Sequence, residues 1–291
     1  MKKSGKTYII VLKIFLSVLF SFCFSTGFTQ NPEQTLTFAK EQLNQGNYLP
    51  ANKSLNRLMF FDNGLEYPEI FELFACSYFQ LNDYNNAWYY YDLAAIRSDK
   101  DSLRAEFTFM KVACRLYLKE YHEAMIDLMS FQGHLTENQR WQFNLLAGIN
   151  SFYLMDYIQS EIHFRNCADS NSLLMVKSAF SDIKKVEKRF NPNKAKVMSI
   201  ILPGSGQLYA GDLKNGINSF ALVFGFIAVG LSVSSSIRFI DSAIIIFPWF
   251  QRYYMGGYQK ASVITLEKQN AEKNKVLLSL IDQLSETQIH W

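Results

Sequence analysis

Gly46-Asn47-Tyr48-Leu49-Pro50-Ala51, Asn82-Asp83-Tyr84-Asn85-Asn86-Ala87, Lys119-Glu120-Tyr121-His122-Glu123-Ala124 and Met155-Asp156-Tyr157-Ile158-Gln159-Ser160 are four versions of one six-residue segment. Their tyrosines stand 36, 37 and 36 residues apart, and each is followed three residues later by Ala51, Ala87, Ala124 or Ser160. A fixed period in the thirties predicts stacked pairs of short helices. One pair cannot bury its own apolar face, so neighbouring pairs must complete the core. Working outward, each segment is preceded by small residues inside an amphipathic stretch (Ala39, Ala75, Ala113, Ala147-Gly148). Each is followed by apolar residues one and two turns on: Leu55 and Leu58, Tyr91 and Ala94, Leu128 and Phe131, Phe164 and Cys167. The spacing predicts helix, tight turn, helix. Gly46 and Asn82 suit the left-handed residue that ends a helix. The third and fourth versions lack such a residue, and Lys111 falls where an apolar side chain is usual, as a one-residue slip would produce.

The G-x-Y-x-x-A segment, the earlier small residue and the two later apolar positions resemble the tetratricopeptide repeat over about residues 31–168. Ser172 to Phe190 reads as one further helix, polar enough at Lys184, Lys185, Lys188 and Arg189 to close a stack that occupies 31–190. The resemblance implies an all-α solenoid in which the first helix of each pair lines a surface that holds peptides. Carried over position by position, that surface would comprise Glu72, Phe79 and Gln80, then Phe109 and Tyr117, then Gln142, Phe152 and Tyr153. The set is aromatic and weakly charged, which suits an apolar or extended peptide. The competing reading is that these rings pack between neighbouring helices.

Outside the repeats the chain is apolar in blocks. Lys2, Lys3 and Lys6, an apolar run from Tyr8 to Phe24 and small residues up to Thr29 read as a secretory signal over 1–29, with an uncleaved anchor as the alternative. Residues 195–262 read as a membrane domain. An uncharged segment at 216–237 is long enough to cross a hydrocarbon core, and a second at 239–258, interrupted by Asp241, Pro248 and Arg252, is expected to return as a hairpin, with a lone span followed by an interfacial helix as the alternative. Ahead of them, Pro203-Gly204-Ser205-Gly206-Gln207-Leu208-Tyr209-Ala210-Gly211 resembles a small bacterial membrane domain of unassigned function. That domain carries P-G-x-G-Q-x-Y-x-G before paired spans, often beside tetratricopeptide repeats. The resemblance points to Pro203, Gly204, Gly206, Gln207, Tyr209 and Gly211 and implies a membrane module without known chemistry. The tail, 263–291, carries an apolar stripe of Leu277, Leu280, Ile281 and Leu284 and reads as an amphipathic helix that docks on a partner, pairs with itself, lies on the membrane or packs back on its own domain. Export driven by the leader would place the repeats in the periplasm against the inner membrane, although the basic residues before the first span favour the opposite sidedness.

No catalytic or metal signature emerges. The four histidines fall in no H-x-x-x-H or H-E-x-x-H frame, Gly204-Ser205-Gly206 is followed by no Gly-Lys-Ser/Thr, and the cysteines after residue 30 are three and widely spaced. A net charge of +3 without a basic stripe gives no expectation of nucleic-acid binding. The sequence therefore points to a non-enzymatic chain without cofactor, whose partners are a protein and membrane lipid. Its expected role is a membrane-anchored binding scaffold. The alternative is an envelope transport or channel component in which Asp241 and Arg252 line a path.

Overall fold

The computed structural model describes residues 31–62, 66–169, 172–234 and 239–288, so the signal expected over 1–29 lies outside the described residues. All regular structure among the described residues is helical. The chain divides into two compact units after Gln139.

The first unit contains α1 (Pro32–Asn44), α2 (Tyr48–Asp62), α3 (Glu69–Gln80), α4 (Tyr84–Arg97), α5 (Asp101–Tyr117) and α6 (Tyr121–Met129). Each helix packs on its neighbour in the chain, and α1 also touches α3, as stacked pairs require. The small residues sit where helices approach most closely: Ala39, Ala51, Ala75, Ala87 and Ala124 are fully buried. In the third pair the close-approach position belongs to Val112, which is fully buried, whereas Ala113 is only half-buried. The register of that pair is therefore the same as in the others, and no one-residue slip is needed.

The corner between paired helices is one structure made four times. Gly46, Asn82, Lys119 and Met155 all have positive φ, at 77°, 59°, 62° and 63°. At each, the left-handed residue donates its N–H to the carbonyl three residues back (Leu43, Phe79, Leu116, Phe152), and the next residue donates to the carbonyl five back (Gln42, Tyr78, Arg115, Ser151). This 6→1 and 5→2 pair satisfies carbonyls that a helix end would otherwise orphan. That next residue is also the N-cap of the following helix. Its carbonyl accepts from Ala51, Ala87, Ala124 or Ser160, so the small residue of each segment closes the first turn. The Asp83 and Asp156 side chains reinforce the start by accepting from the Asn86 and Gln159 N–H groups.

The second unit begins within α7 (Glu137–Tyr153) and continues through α8 (Tyr157–Cys167), α9 (Leu173–Arg189), α10 (Pro192–Ile201), α11 (Ser205–Tyr209), α12 (Leu213–Ser234) and α13 (Phe239–Gln288). α7 and α8 pack through Gly148, where an added Cβ would lie 3.1 Å from the Phe164 ring, and Ser160 Oγ donates to the Gly148 carbonyl at 2.8 Å. Asn191 Oδ1 accepts from the Lys194 N–H, and Pro192 opens α10 at a position where its missing N–H does no harm.

α13 departs from the sequence reading. The apolar segment at 239–258 and the tail at 263–291 are not separate elements; one helix of 50 residues runs through Pro248 and joins them. At 1.5 Å per residue it is about 75 Å long. Its first part packs on α12, its middle on α10 and α11, and its last turns on α9. Leu277, Leu280 and Leu284 are buried with Phe152, Phe164, Val176, Phe180 and Ile183. The tail stripe therefore completes the core of its own unit. Among the described residues one helix, Leu213–Ser232, is long and apolar enough by length and composition to cross a membrane. The segment 239–258, expected as a second span, does not meet that standard because Asp241, Gln251 and Arg252 dilute it.

Candidate binding surface and hairpin module

The fold places the residues proposed to hold a peptide in different settings. Phe109 and Phe152 are taken up by the helix packing, 6% and 4% exposed, and present little surface to a ligand. Phe79 and Tyr117 come together with Tyr84: Tyr84 and Tyr117 stack at 4.5 Å with nearly parallel planes, and Phe79 meets both edge-on at 5.5 and 5.7 Å. Tyr117 nevertheless remains 60% exposed, so this three-ring cluster is open on one side. Tyr153 is half-buried and edge-on to Phe152, which also meets Tyr157 at 5.4 Å. Glu72 and Gln80 are exposed on α3, and Gln142 is half-buried on α7. Partial burial and then the charges of Glu106 and Glu69 hold the Glu72 carboxyl above its ordinary value. In the first unit the surface thus offers an aromatic cluster at one end of α3 and a carboxylate pair at the other.

Lys111 has a clear structural explanation. Its ammonium lies 2.8 Å from Asp92 and 2.9 Å from Asp127, which belong to α4 and α6. Arg115, one turn on, bonds Asp127 at 3.1 Å and also pairs with Glu120. Trp88 donates its indole N–H to Asp127 at 3.0 Å, and the Arg115 guanidinium lies 4.2 Å from the Trp88 ring centroid. Three helices are thus tied through one half-buried carboxylate. Burial alone would raise the Asp127 pKa, but hydrogen bonds from Lys111 and Trp88, the Lys111 charge and the Arg115 bond outweigh it and hold the group below its ordinary value. For Lys111 burial works downward, and its bonds to Asp92 and Asp127 outweigh it and raise the value. The spacing Lys111-x-x-x-Arg115 on one helix face was the available sequence signal.

In the second unit the P-G-x-G-Q-x-Y-x-G residues form a joint where α10, α11, α12 and α13 converge. Gly206 lies so close to α10 that a Cβ would overlap the Ala195 carbonyl oxygen, and its N–H donates to Ser199 Oγ at 2.9 Å. Ser199 in turn donates to Gln207 Oε1 at 3.0 Å, and Gln207 Nε2 donates to the Gly257 carbonyl of α13 at 2.8 Å. Gln207 is 1% exposed, so a buried amide with both ends satisfied bridges two helices. Gly204, at φ 92°, lies against the Gly216 backbone of α12, where a Cβ would collide. The Tyr209 hydroxyl accepts from the Asn191 N–H at 3.1 Å and donates to the Arg189 carbonyl. The half-buried Pro203 sits in the turn between α10 and α11.

Gly211 reveals something the motif reading missed. With φ 88°, it donates to Leu208, Asp212 donates to Gln207, and the Gly216 N–H returns to the Asp212 carbonyl. Asp212 Oδ1 also accepts from the Asn215 N–H at 3.0 Å. This is the repeat corner again, with Gly211-Asp212-Leu213-Lys214-Asn215-Gly216 matching Asn82-Asp83-Tyr84-Asn85-Asn86-Ala87 at every structural position except the tyrosine. Two differences hid it from the period: a leucine stands at the tyrosine position, and Leu213 lies 56 residues after Tyr157 rather than 36 or 37.

Among the described residues no group of three or more His, Cys, Asp or Glu is placed to hold a metal. Burial pushes the Cys114 and Cys167 thiols up to about 12, far from a nucleophile's range. His163 is lowered by burial, and its Nδ1 meets Asn144 Oδ1 at 3.1 Å. No protein-family model, curated protein or solved structure matches the chain significantly.

Proposed function

We propose that the chain is a non-catalytic scaffold that is anchored in the bacterial inner membrane and presents tetratricopeptide-like helix pairs to a protein partner in the periplasm. One observation carries this reading. α13 belongs at one end to the apolar hairpin and at the other to the core of α8 and α9, with no linker between. Such a helix would hold the α7–α8 pair at a fixed height above a bilayer. Tethering of this kind converts an encounter in solution into one at a surface, where the effective concentration is high. The recurrent left-handed corner supports the tetratricopeptide assignment, and the open ring cluster of Phe79, Tyr84 and Tyr117 is the favoured place for the partner. The leader-like start of the sequence supports the periplasmic side.

The test is crosslinking in intact membranes from a photoreactive side chain at Tyr117, followed by mass spectrometry. A single protein adduct that persists when the apolar hairpin is exchanged for an unrelated anchor supports scaffolding. Absence of any adduct, or its loss on anchor exchange, rejects it.

A further inference from the structure

α10 is an unusual helix for the surface of a protein. Its Ala195 and Ser199 face inward and are buried, whereas Val197, Ile200 and Ile201 are 55%, 41% and 80% exposed and lie together on the outer face at i, i+3 and i+4. Leu202, Leu208 and Leu213 continue this exposed apolar surface around the base of the hairpin. It runs on into the exposed side of α12 through Ile217, Phe220 and Phe224. Cations flank it in the sequence. Between residues 188 and 214 the chain has Lys188, Arg189, Lys194, Lys196 and Lys214 against the single carboxylate Asp212. Lys194 stands 5.2 Å from the Tyr209 ring centroid and Lys196 5.8 Å from that of Tyr258, so both are set over aromatic residues at the hairpin base. Tyr254 donates its hydroxyl to the Ile200 carbonyl at 2.6 Å, which fixes the end of α10 against α13.

From this arrangement we infer that α10 and the hairpin base form a binding surface for an anionic phospholipid leaflet. Val197, Ile200, Ile201 and Leu202 enter the headgroup–acyl boundary while Lys194, Lys196 and Lys214 meet lipid phosphates. The inference rests on the membrane-anchored reading and adds a lipid preference to it. An exposed apolar helix face beside concentrated positive charge is the pattern of an interfacial segment, and its continuity with the apolar helix α12 sets its depth. A soluble acidic protein would satisfy the lysines but leave the four aliphatic side chains in water.

The experiment uses the full chain reconstituted into vesicles of zwitterionic phosphatidylcholine with about 30% phosphatidylglycerol, a typical anionic surface. Flotation after alkaline wash reports insertion. Native mass spectrometry of the protein released from the same bilayers reports which lipids remain bound. The wild type floats and retains phosphatidylglycerol well above its share of the bilayer. K194Q/K196Q/K214Q floats equally well but loses that enrichment about tenfold, and high salt weakens it in the wild type. Lys177→Gln, on an exposed part of α9 more than a Debye length along the helix, leaves the enrichment unchanged. The proposal is overturned if the floating wild type retains the two lipids in the proportion supplied, or if the triple variant keeps its enrichment. Failure of the wild type to float overturns the membrane reading itself and the lipid surface with it.

Discussion

At the scale of the residue, the corners show how little of a backbone geometry depends on the residue that adopts it. Gly46 and Asn82 are residues for which a left-handed conformation is inexpensive, and the sequence showed the turn there. Lys119 and Met155 adopt the same φ with ordinary side chains, at a cost of roughly 1–2 kcal/mol each. They are held there by the paired 6→1 and 5→2 hydrogen bonds and by the helices on either side, which is why local propensity could not reveal them. Met155 is 66% exposed, so its side chain contributes little to packing. Met155→Gly is therefore expected to stabilise the chain by about 0.5–1 kcal/mol, the relief of strain being partly offset by the freer unfolded glycine. Chemical denaturation of the variant measures this, and an unchanged or lower midpoint contradicts it. Gly206 gives the opposite result. A methyl group there meets Ser199 Oγ and, closer still, the Ala195 backbone carbonyl, which no side-chain rotation can move. Gly206→Ala should cost about 2–4 kcal/mol and separate α11 from α10, read as loss of thermal stability of the detergent-solubilised chain.

At the scale of the element, the tie between α4, α5 and α6 makes stability depend on pH. Asp127 has a folded pKa below its unfolded value, so its contribution is present above about 4 and is lost as pH falls through the folded value. Lys111 has a folded pKa above its unfolded value, so its contribution is complete below about 10.4 and is lost as pH rises through the folded value. The contribution of this tie should be constant between these limits. Asp127→Ala leaves Lys111 and Arg115 half-buried against the Trp88 ring without their shared carboxylate. A loss of about 2–3 kcal/mol at neutral pH is expected, below the range for a fully buried pair because water still reaches the site. The acid limb of the pH profile should also flatten. A variant as stable as the wild type at pH 7, or with the same acid limb, would show that the three helices are held by apolar packing alone. Lys111 was visible in the sequence only as an anomaly. Its partners lie 19 residues before and 16 after it, and only the superposition of helix pairs brings them together. α13 was misread for a related reason. Hydropathy changes abruptly near residue 258, and Pro248 and Gly256-Gly257 look like punctuation, but helical continuity is decided by what the two halves pack against.

At the scale of the whole molecule, the packing of α13 constrains how a bilayer can be crossed. If α12 crosses, the chain must return, because Leu277, Leu280 and Leu284 are buried against the repeat helices of the second unit. One crossing would place the tail and those helices on opposite sides. The return limb is then the first part of α13, although its composition alone would not qualify it. Its register with α12 comes from three contacts: Lys260 bonds Asn215, Gly257 lies against Ser219, and Gly230 lies near Ile246. Paired residue numbers thus sum to about 476, which sets Arg252 opposite Phe224, near the middle of Leu213–Ser232. A charge at the centre of hydrocarbon costs about 2.5–3.5 kcal/mol even on an insertion scale. The apolar slab is therefore expected to be displaced toward the end of α12 at Ser234, with the Arg252 side chain reaching back toward the hairpin base. Membrane-impermeant maleimide labelling tests the path. In a Cys23→Ser/Cys76→Ser chain, the remaining Cys114 and Cys167 are expected to stay silent because burial pushes their thiols up to about 12. Lys177→Cys and Lys275→Cys should then label from one side of the membrane and Ser236→Cys from the other. Arg252→Leu should raise the fraction resistant to alkaline extraction. Labelling of positions 177 and 275 from opposite sides would mean that α13 does not return, and its packing on the repeat helices could not then exist in the membrane.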